Sequence, residues 1–384
     1  MECPATEVVG ESKAGVIDVL RAGLPAWRAA VPSPTPAQEK AMSSLQLCRT
    51  AALGGHVHKC SSCTYSKPQY NSCRNRHCPN CQSMDQARWV EAREEVLLPV
   101  GHHHVVFTLP SQLRTLAMCH PTIVFSILFE AVREALTLTI REHMDGESGI
   151  TAVLHTWTRN LLFHPHIHCI VAAGAWTMMG WTHRTKWLVP AAHLKAVFRG
   201  RILAGLEKHR AELGLVEDRV WWKLMKSLPK AKKWVVYLKA PMSEVAAVVK
   251  YLGQYTHRVA ISDWRILAFQ HGKVTFTGTN DEEVELSAAE FTGRFMQHVL
   301  PKGFRKIRHY GLYAPGNKSK LREEVRTALL SEPVIAAAVR RKDRWRAQDE
   351  AWTDLLLRLT GVDAMKCPRC GDRLIRVPIP RGPP

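Results

Sequence analysis

The chain has 384 residues, 46% of them hydrophobic and 23% charged, enough for two or three folded domains and incompatible with a disordered, collagen-like or small disulfide-bonded polypeptide. Its 53 Lys and Arg against 34 Asp and Glu give a net charge of +19, which points to a polyanionic partner, nucleic acid ahead of an acidic membrane surface. No run reaches the ~18 apolar residues of a membrane helix, and the leading MECPATEVVGESKAG carries no secretory pattern, so the expected compartment is a reducing cytoplasm in which the 11 cysteines serve metal rather than disulfides.

In chain order, residues 16–24 have the pattern of a short helix. Thr35 with Gln38 makes a capping box and Pro36 stands at the first helical position, so a helix is predicted over 36–47. A Cys/His-rich segment fills 48–81, and a helix over 82–98 is stopped by Pro99. HHHVVFTLP (102–110) is β-branched and aromatic and reads as a strand; 121–144 reads as a long helix. Strands are predicted at 151–157 and 166–172, a helix at 187–213, a strand at 234–238, a helix at 243–258 and a hairpin over 265–276 closed by His271-Gly272-Lys273. A basic helix and a Pro-rich tail end the chain. Strands and helices mixed in this way indicate an α+β fold, divided as an N-terminal segment 1–35, a zinc-binding DNA-contact domain 36–98, a larger domain 99–320 and a C-terminal region 321–384.

The cysteine-rich segment holds two CxxC knuckles, Cys60/Cys63 and Cys78/Cys81, with 14 residues between them. Each knuckle offers two thiolates to one tetrahedral ion, so the four are expected to share a structural Zn²⁺. Cys48, His56, Cys73 and His77 could hold a second, with His58 in reserve; otherwise Cys48 and Cys73 are small buried residues. Lys67, Arg74 and Arg76 suggest DNA contact. Cys367/Cys370 is a lone knuckle with no evident partner.

In HPHIHCIV (164–171) strand alternation turns His166 and His168 to one face, about 7 Å apart, a spacing at which two imidazoles can grip one divalent cation. His155, on the neighbouring predicted strand, could be the third ligand; Gln254 is the other candidate. On the helix predicted over 243–258, a wheel from Val245 buries Val245, Val248, Val249 and Leu252 and sets Tyr251 and Tyr255 together on the flank, about one turn apart, with Arg258 beside them. They are either half-buried tyrosines or two nucleophilic hydroxyls on one rigid support. Between Arg219 and Ser243 there are seven Lys/Arg, Lys232 and Lys233 among them, no acid, and Trp221, Trp222 and Trp234 interleaved, a composition suited to single-stranded nucleic acid. No GxxxxGK[ST] occurs, so no nucleotide-driven motor of that type is expected.

Six blocks, in order, resemble the transposases of the insertion-sequence-91 family: CRTAALGGH (48–56), YNSCRNRHCPNCQ (70–82), HHVVFTLP (103–110), HPHIHCIV (164–171), YLGQYTHRVAIS (251–262) and HVLPKGFRKIRHYGLYA (298–314). The resemblance implies a bacterial rolling-circle transposase whose His-hydrophobic-His nuclease domain is a small antiparallel sheet flanked by helices and follows a zinc-binding module. It implies that His166 and His168 hold Mg²⁺ or Mn²⁺, that Tyr251 and Tyr255 attack DNA to form a 5′-phosphotyrosine, and that the partners are single-stranded element ends and target. The helical wheel, not the resemblance, suggests that Arg258 steadies phosphate charge. A rolling-circle replication initiator or relaxase would share this chemistry, and a non-catalytic zinc-ribbon regulator would need only the zinc module and the charge.

Overall fold

The computed structural model describes residues 14–184, 186, 188–230, 233–242, 253, 260–316, 318–332 and 350–382. Near the N-terminus the capping box forms as predicted. Thr35 Oγ1 accepts from the Gln38 amide at 3.3 Å, Gln38 Oε1 accepts from the Thr35 amide at 2.9 Å, and the helix Pro36–Leu47 follows. The preceding helix is longer than its apolar pattern suggests, Val16–Ala30, and its Val16, Leu20, Leu24 and Trp27 pack against Phe291, Phe295 and the strands of residues 266–287. Gly23 permits this approach: a Cβ there would lie 2.1 Å from the Ala288 carbonyl oxygen. The first segment is thus docked on an element almost 270 residues downstream, which no local pattern announces.

Strands β1 (Gly55–Cys60) and β2 (Ser66–Tyr70) form the cysteine-rich module. Next come β3 (His102–Thr108), β4 (Gly149–Trp157) and β5 (Phe163–Ala172), a small hairpin of β6 (Gly174–Thr177) and β7 (Gly180–His183), and β8 (Val236–Met242). A meander of β9 (Ile266–Gln270), β10 (Lys273–Thr277) and β11 (Glu283–Ser287) precedes β12 (Ile307–Gly311) and β13 (Leu374–Ile379). The turn between β9 and β10 is the predicted one, with positive φ at both His271 and Gly272, the backbone a two-residue hairpin loop requires.

The central sheet has five antiparallel strands in the order β12-β4-β5-β3-β8. Strand alternation sorts its two faces. Phe107, Leu154, Ile167 and Cys169 face the helices Pro121–Met144 and Ala191–Lys208 and pack with Phe125, Phe129, Leu136 and Phe198. On the opposite face Val153, Ile170 and Ala172 are covered by Leu97, Leu98, Tyr313 and, from the helix Lys318–Leu330, Val325 and Leu329. The architecture is α+β, a Cys-rich module followed by an antiparallel sheet flanked by helices.

Three expectations are corrected. The helix expected over 187–213 is Ala191–Lys208, begun by Pro190 at its N-cap and ended by a turn before Gly214. The strand expected at 234–238 is shifted to Val236–Met242. The C-terminal residues are not a tail: β13 pairs antiparallel with β1 over six residues, from Gly55 opposite Ile379 to Cys60 opposite Leu374, so the module's three-stranded sheet β13-β1-β2 is built from both ends of the chain. Among the described residues no helix is long and apolar enough to cross a membrane.

Candidate metal and catalytic sites

The hairpin of β4 and β5 brings three imidazoles together. Its register sets His155 opposite His166 and Val153 opposite His168, so all three histidines share a face. The ring centroids are 4.3 Å apart for His155–His168, 4.8 Å for His166–His168 and 5.3 Å for His155–His166, and one ligand nitrogen from each lies within 4.8 Å of the others. His166 Nδ1 donates to the His164 carbonyl at 2.6 Å, which fixes its tautomer and leaves Nε2 as the donor atom for a cation.

Burial sets the protonation of this cluster. It lowers His166 to about 4 and holds His155 and His168 well below the usual imidazole value, with mutual repulsion adding to the effect. All three are therefore neutral at physiological pH, as metal ligation requires. Trp157 stacks on His155 with ring centroids 4.8 Å apart. His104, from β3, stacks almost parallel on His168, and their Nε2 and Nδ1 atoms are 2.8 Å apart. Arg114 donates to His164 Nδ1 at 2.9 Å, which puts a cation beside the motif. Reading the sequence missed His104 and Arg114. The run of three histidines at 102–104 was visible, but which of them meets the motif depends on the pairing of β3 with β5.

The edge strand extends this face. On β8, Tyr237 and Lys239 are exposed while Val236 is buried. Val106 pairs with His168 on one side and Tyr237 on the other, so the exposed Tyr237 ring lies on the histidine face, two strand spacings or about 10 Å from His168. Of the three tryptophans expected to stack bases, Trp221 and Trp234 are buried and Trp222 is exposed. Lys232, Tyr251, Gln254, Tyr255 and Arg258 lie outside the described residues. Gly253, between the tyrosines in sequence, is described: it is buried, and a Cβ on it would lie 2.3 Å from Val90 Cγ2 of the helix Ser83–Val96. Val90 itself packs against the group of Val153, Ile170 and Ala172, which places Gly253 on the histidine side of the sheet.

The cysteines assemble otherwise than expected. Cys78 and Cys81 meet Cys48 and Cys73, with Sγ–Sγ distances of 3.4 Å for Cys48–Cys81, 3.5 Å for Cys48–Cys78 and 3.8 Å for Cys73–Cys81. A tetrahedral ion with Zn–S bonds of about 2.3 Å has S–S edges of about 3.8 Å, so this set fits zinc. Cys60 and Cys63 do not join it; they stand at the far end of β1, beside Cys367 and Cys370. The expected pairing of the two CxxC knuckles fails because β1 and β2 carry the first knuckle away from the second.

His56 and His77 are in neither cluster. His77 is buried and its Nε2 accepts from the Leu300 amide at 3.1 Å, while His56 Nδ1 is 3.2 Å from the Arg376 guanidinium. Arg76, expected at DNA, donates to the carbonyls of Leu300, Pro301 and Phe304 and so fastens the module to the rest of the molecule.

Two family models match the chain. One described as "Transposase zinc-binding domain" covers residues 19–109, and one described as "Putative transposase" covers 149–321. The chain is 36% identical over 378 residues to "Putative transposase y4qJ" of Sinorhizobium fredii, spanning 92% of each protein. It is 26% identical over 292 residues to "Transposase for insertion sequence element IS801" of Pseudomonas savastanoi pv. phaseolicola, spanning 71% of this chain and 69% of that relative. No solved structure matches. With a zinc-binding span at the thiolate cluster, a second span across the histidine sheet and a relative aligned nearly end to end, the chain belongs to the insertion-sequence-91 family of transposases.

Proposed function

We propose that this chain is a DNA transposase that cuts and rejoins single-stranded ends of a mobile element, with Tyr251 and Tyr255 as its nucleophiles. The observation that carries the reading is the convergence of His155, His166 and His168 on the side of the sheet where Gly253, inside YLGQY, packs through Val90. The three imidazoles would hold a divalent ion, which when bound polarises the scissile phosphate. Three neutral nitrogens, with no carboxylate in the cluster among the described residues, suit Mn²⁺ better than the harder Mg²⁺.

The chain's own groups do the rest. One tyrosine hydroxyl gives up its proton and bonds to phosphorus; the P–O3′ bond breaks, the departing O3′ takes up a proton, and the phosphate stays joined to the tyrosine and to the 5′ oxygen of the downstream strand. The ester keeps the energy of the broken bond, so a strand's 3′-OH can reverse the attack without a nucleotide motor. The second tyrosine serves the second strand. Arg258, Lys232 and Lys233 neutralise phosphates, and the exposed Tyr237 ring offers a stacking surface to a neighbouring base. Cys48, Cys73, Cys78 and Cys81 hold a structural zinc in the DNA-contact module.

The test is incubation with labelled single-stranded element ends and Mn²⁺ or Mg²⁺. A denaturation-resistant protein–DNA adduct is expected, mapping to Tyr251 or Tyr255 and absent from the Tyr251→Phe/Tyr255→Phe double variant. Adducts that survive the double substitution sink the assignment.

A further inference from the structure

We propose that Cys60, Cys63, Cys367 and Cys370 bind a second structural zinc, one that clasps the C-terminal segment onto the N-terminal module. The site does not depend on the nuclease reading, and half of it lies far outside the span matched by the zinc-binding family, residues 19–109.

The four Sγ atoms converge within 4.8 Å of one another, with Cys60–Cys370 at 3.4 Å and Cys63–Cys367 at 3.7 Å. Those separations are far longer than the ~2.05 Å of a disulfide and close to the ~3.8 Å edge of a Zn–S₄ tetrahedron. The backbone around each pair is shaped for thiolates. After Cys60 the chain turns so that the Ser62 amide points at Cys60 Sγ at 3.4 Å, the same relation that the Asn75 amide has to Cys73 Sγ at 3.5 Å in the first cluster. After Cys367 the Gly371 amide donates to the Cys367 carbonyl at 2.9 Å, and Gly371 holds φ at +80°, a conformation a side chain would strain. Such a knuckle aims amides at sulfur, which favours the charged thiolate that binds metal.

The strands explain how two CxxC pairs some 300 residues apart meet. In the register of β1 with β13, Cys60 stands opposite Leu374, so each knuckle emerges at the same end of the sheet. The clasp thereby brings basic side chains from both chain ends together: Lys67 and Arg376 flank His58 on one face of the sheet, and Lys366, Arg369 and Arg373 are exposed around the second knuckle.

The experiment uses the full wild-type chain purified with zinc. Metal analysis is expected to give one zinc for each of the two thiolate clusters, besides the ion held by His155, His166 and His168, so at least two per chain. Under iodoacetamide with peptide mass mapping, the exposed Cys119 reacts while Cys60, Cys63, Cys367 and Cys370 alkylate at least about tenfold more slowly. In the Cys367→Ser/Cys370→Ser variant one zinc is lost and Cys60 and Cys63 become reactive, while Cys48, Cys73, Cys78 and Cys81 stay protected. One zinc per wild-type chain, alkylation of Cys367 and Cys370 at the rate of Cys119, or disulfides among these four residues would each overturn the proposal.

Discussion

The histidine cluster and the thiolate clusters are both sets of convergent ligands, but they are made in different ways. His155, His166 and His168 come from one hairpin, within a stretch of 14 residues, and neighbouring strands place them by register alone. The thiolate sets are gathered by chain returns. Cys48 sits at the end of one helix and meets Cys73, Cys78 and Cys81 across the β1–β2 excursion, and Cys60 and Cys63 meet residues more than 300 positions away. The difference predicts that the histidine site survives local damage elsewhere, whereas each thiolate set fails when any one of its contributing segments is lost.

Four measurements can break or sharpen that contrast. The largest effect is expected from removing the first zinc, by chelation or by Cys78→Ser. A structural site of this kind contributes on the order of 10 kcal/mol to folding, so hydrogen exchange should become fast across residues 48–81 while β4 and β5 stay protected. Loss of protection in both regions would mean that the two sites are not independent.

Next comes His166→Ala, which should lower cleavage of single-stranded ends by more than about 100-fold, beyond what outer-shell changes cost, with binding altered far less. Equal losses in both would give the histidines a binding role. His104→Ala removes the ring stacked on His168 and should weaken Mn²⁺ affinity by about 10–100-fold, read by titration calorimetry. An unchanged affinity would show that the hairpin orients its histidines unaided. The smallest effect belongs to Gly23→Ala. Its added methyl must displace the backbone at Ala288, for about 1–3 kcal/mol of destabilisation in urea unfolding. No change would show that the N-terminal helix is not packed as closely as drawn.

Much of the fold was legible locally. The Thr35–Gln38 capping box, the helix Pro121–Met144, the strands bearing His155, His166 and His168, and the turn at His271-Gly272 are each specified by residues within a few positions of one another. The histidine face followed because strand alternation is a period of two that the sequence writes directly. The zinc partners did not follow. CxxC spacing says that two thiolates share an ion but not which other pair completes it. In the same way Arg76 looked like a DNA contact until its three carbonyl acceptors at residues 300–304 were in view.

What the sequence alone determined, then, is the inventory: a basic chain of α+β type, a Cys/His-rich segment and a lone CxxC, a histidine pair on one strand face and the six blocks that mark its family. What only the tertiary structure decided is who meets whom at long range. His104 over His168, Gly23 against Ala288, and β13 closing on β1 with Cys367 and Cys370 beside Cys60 and Cys63 all depend on strand order and helix docking. The physical reason is that backbone preference and alternation act over a few residues. Contacts across hundreds of positions form only when burying apolar surface and pairing strand edges repay the entropy of closing the chain between them.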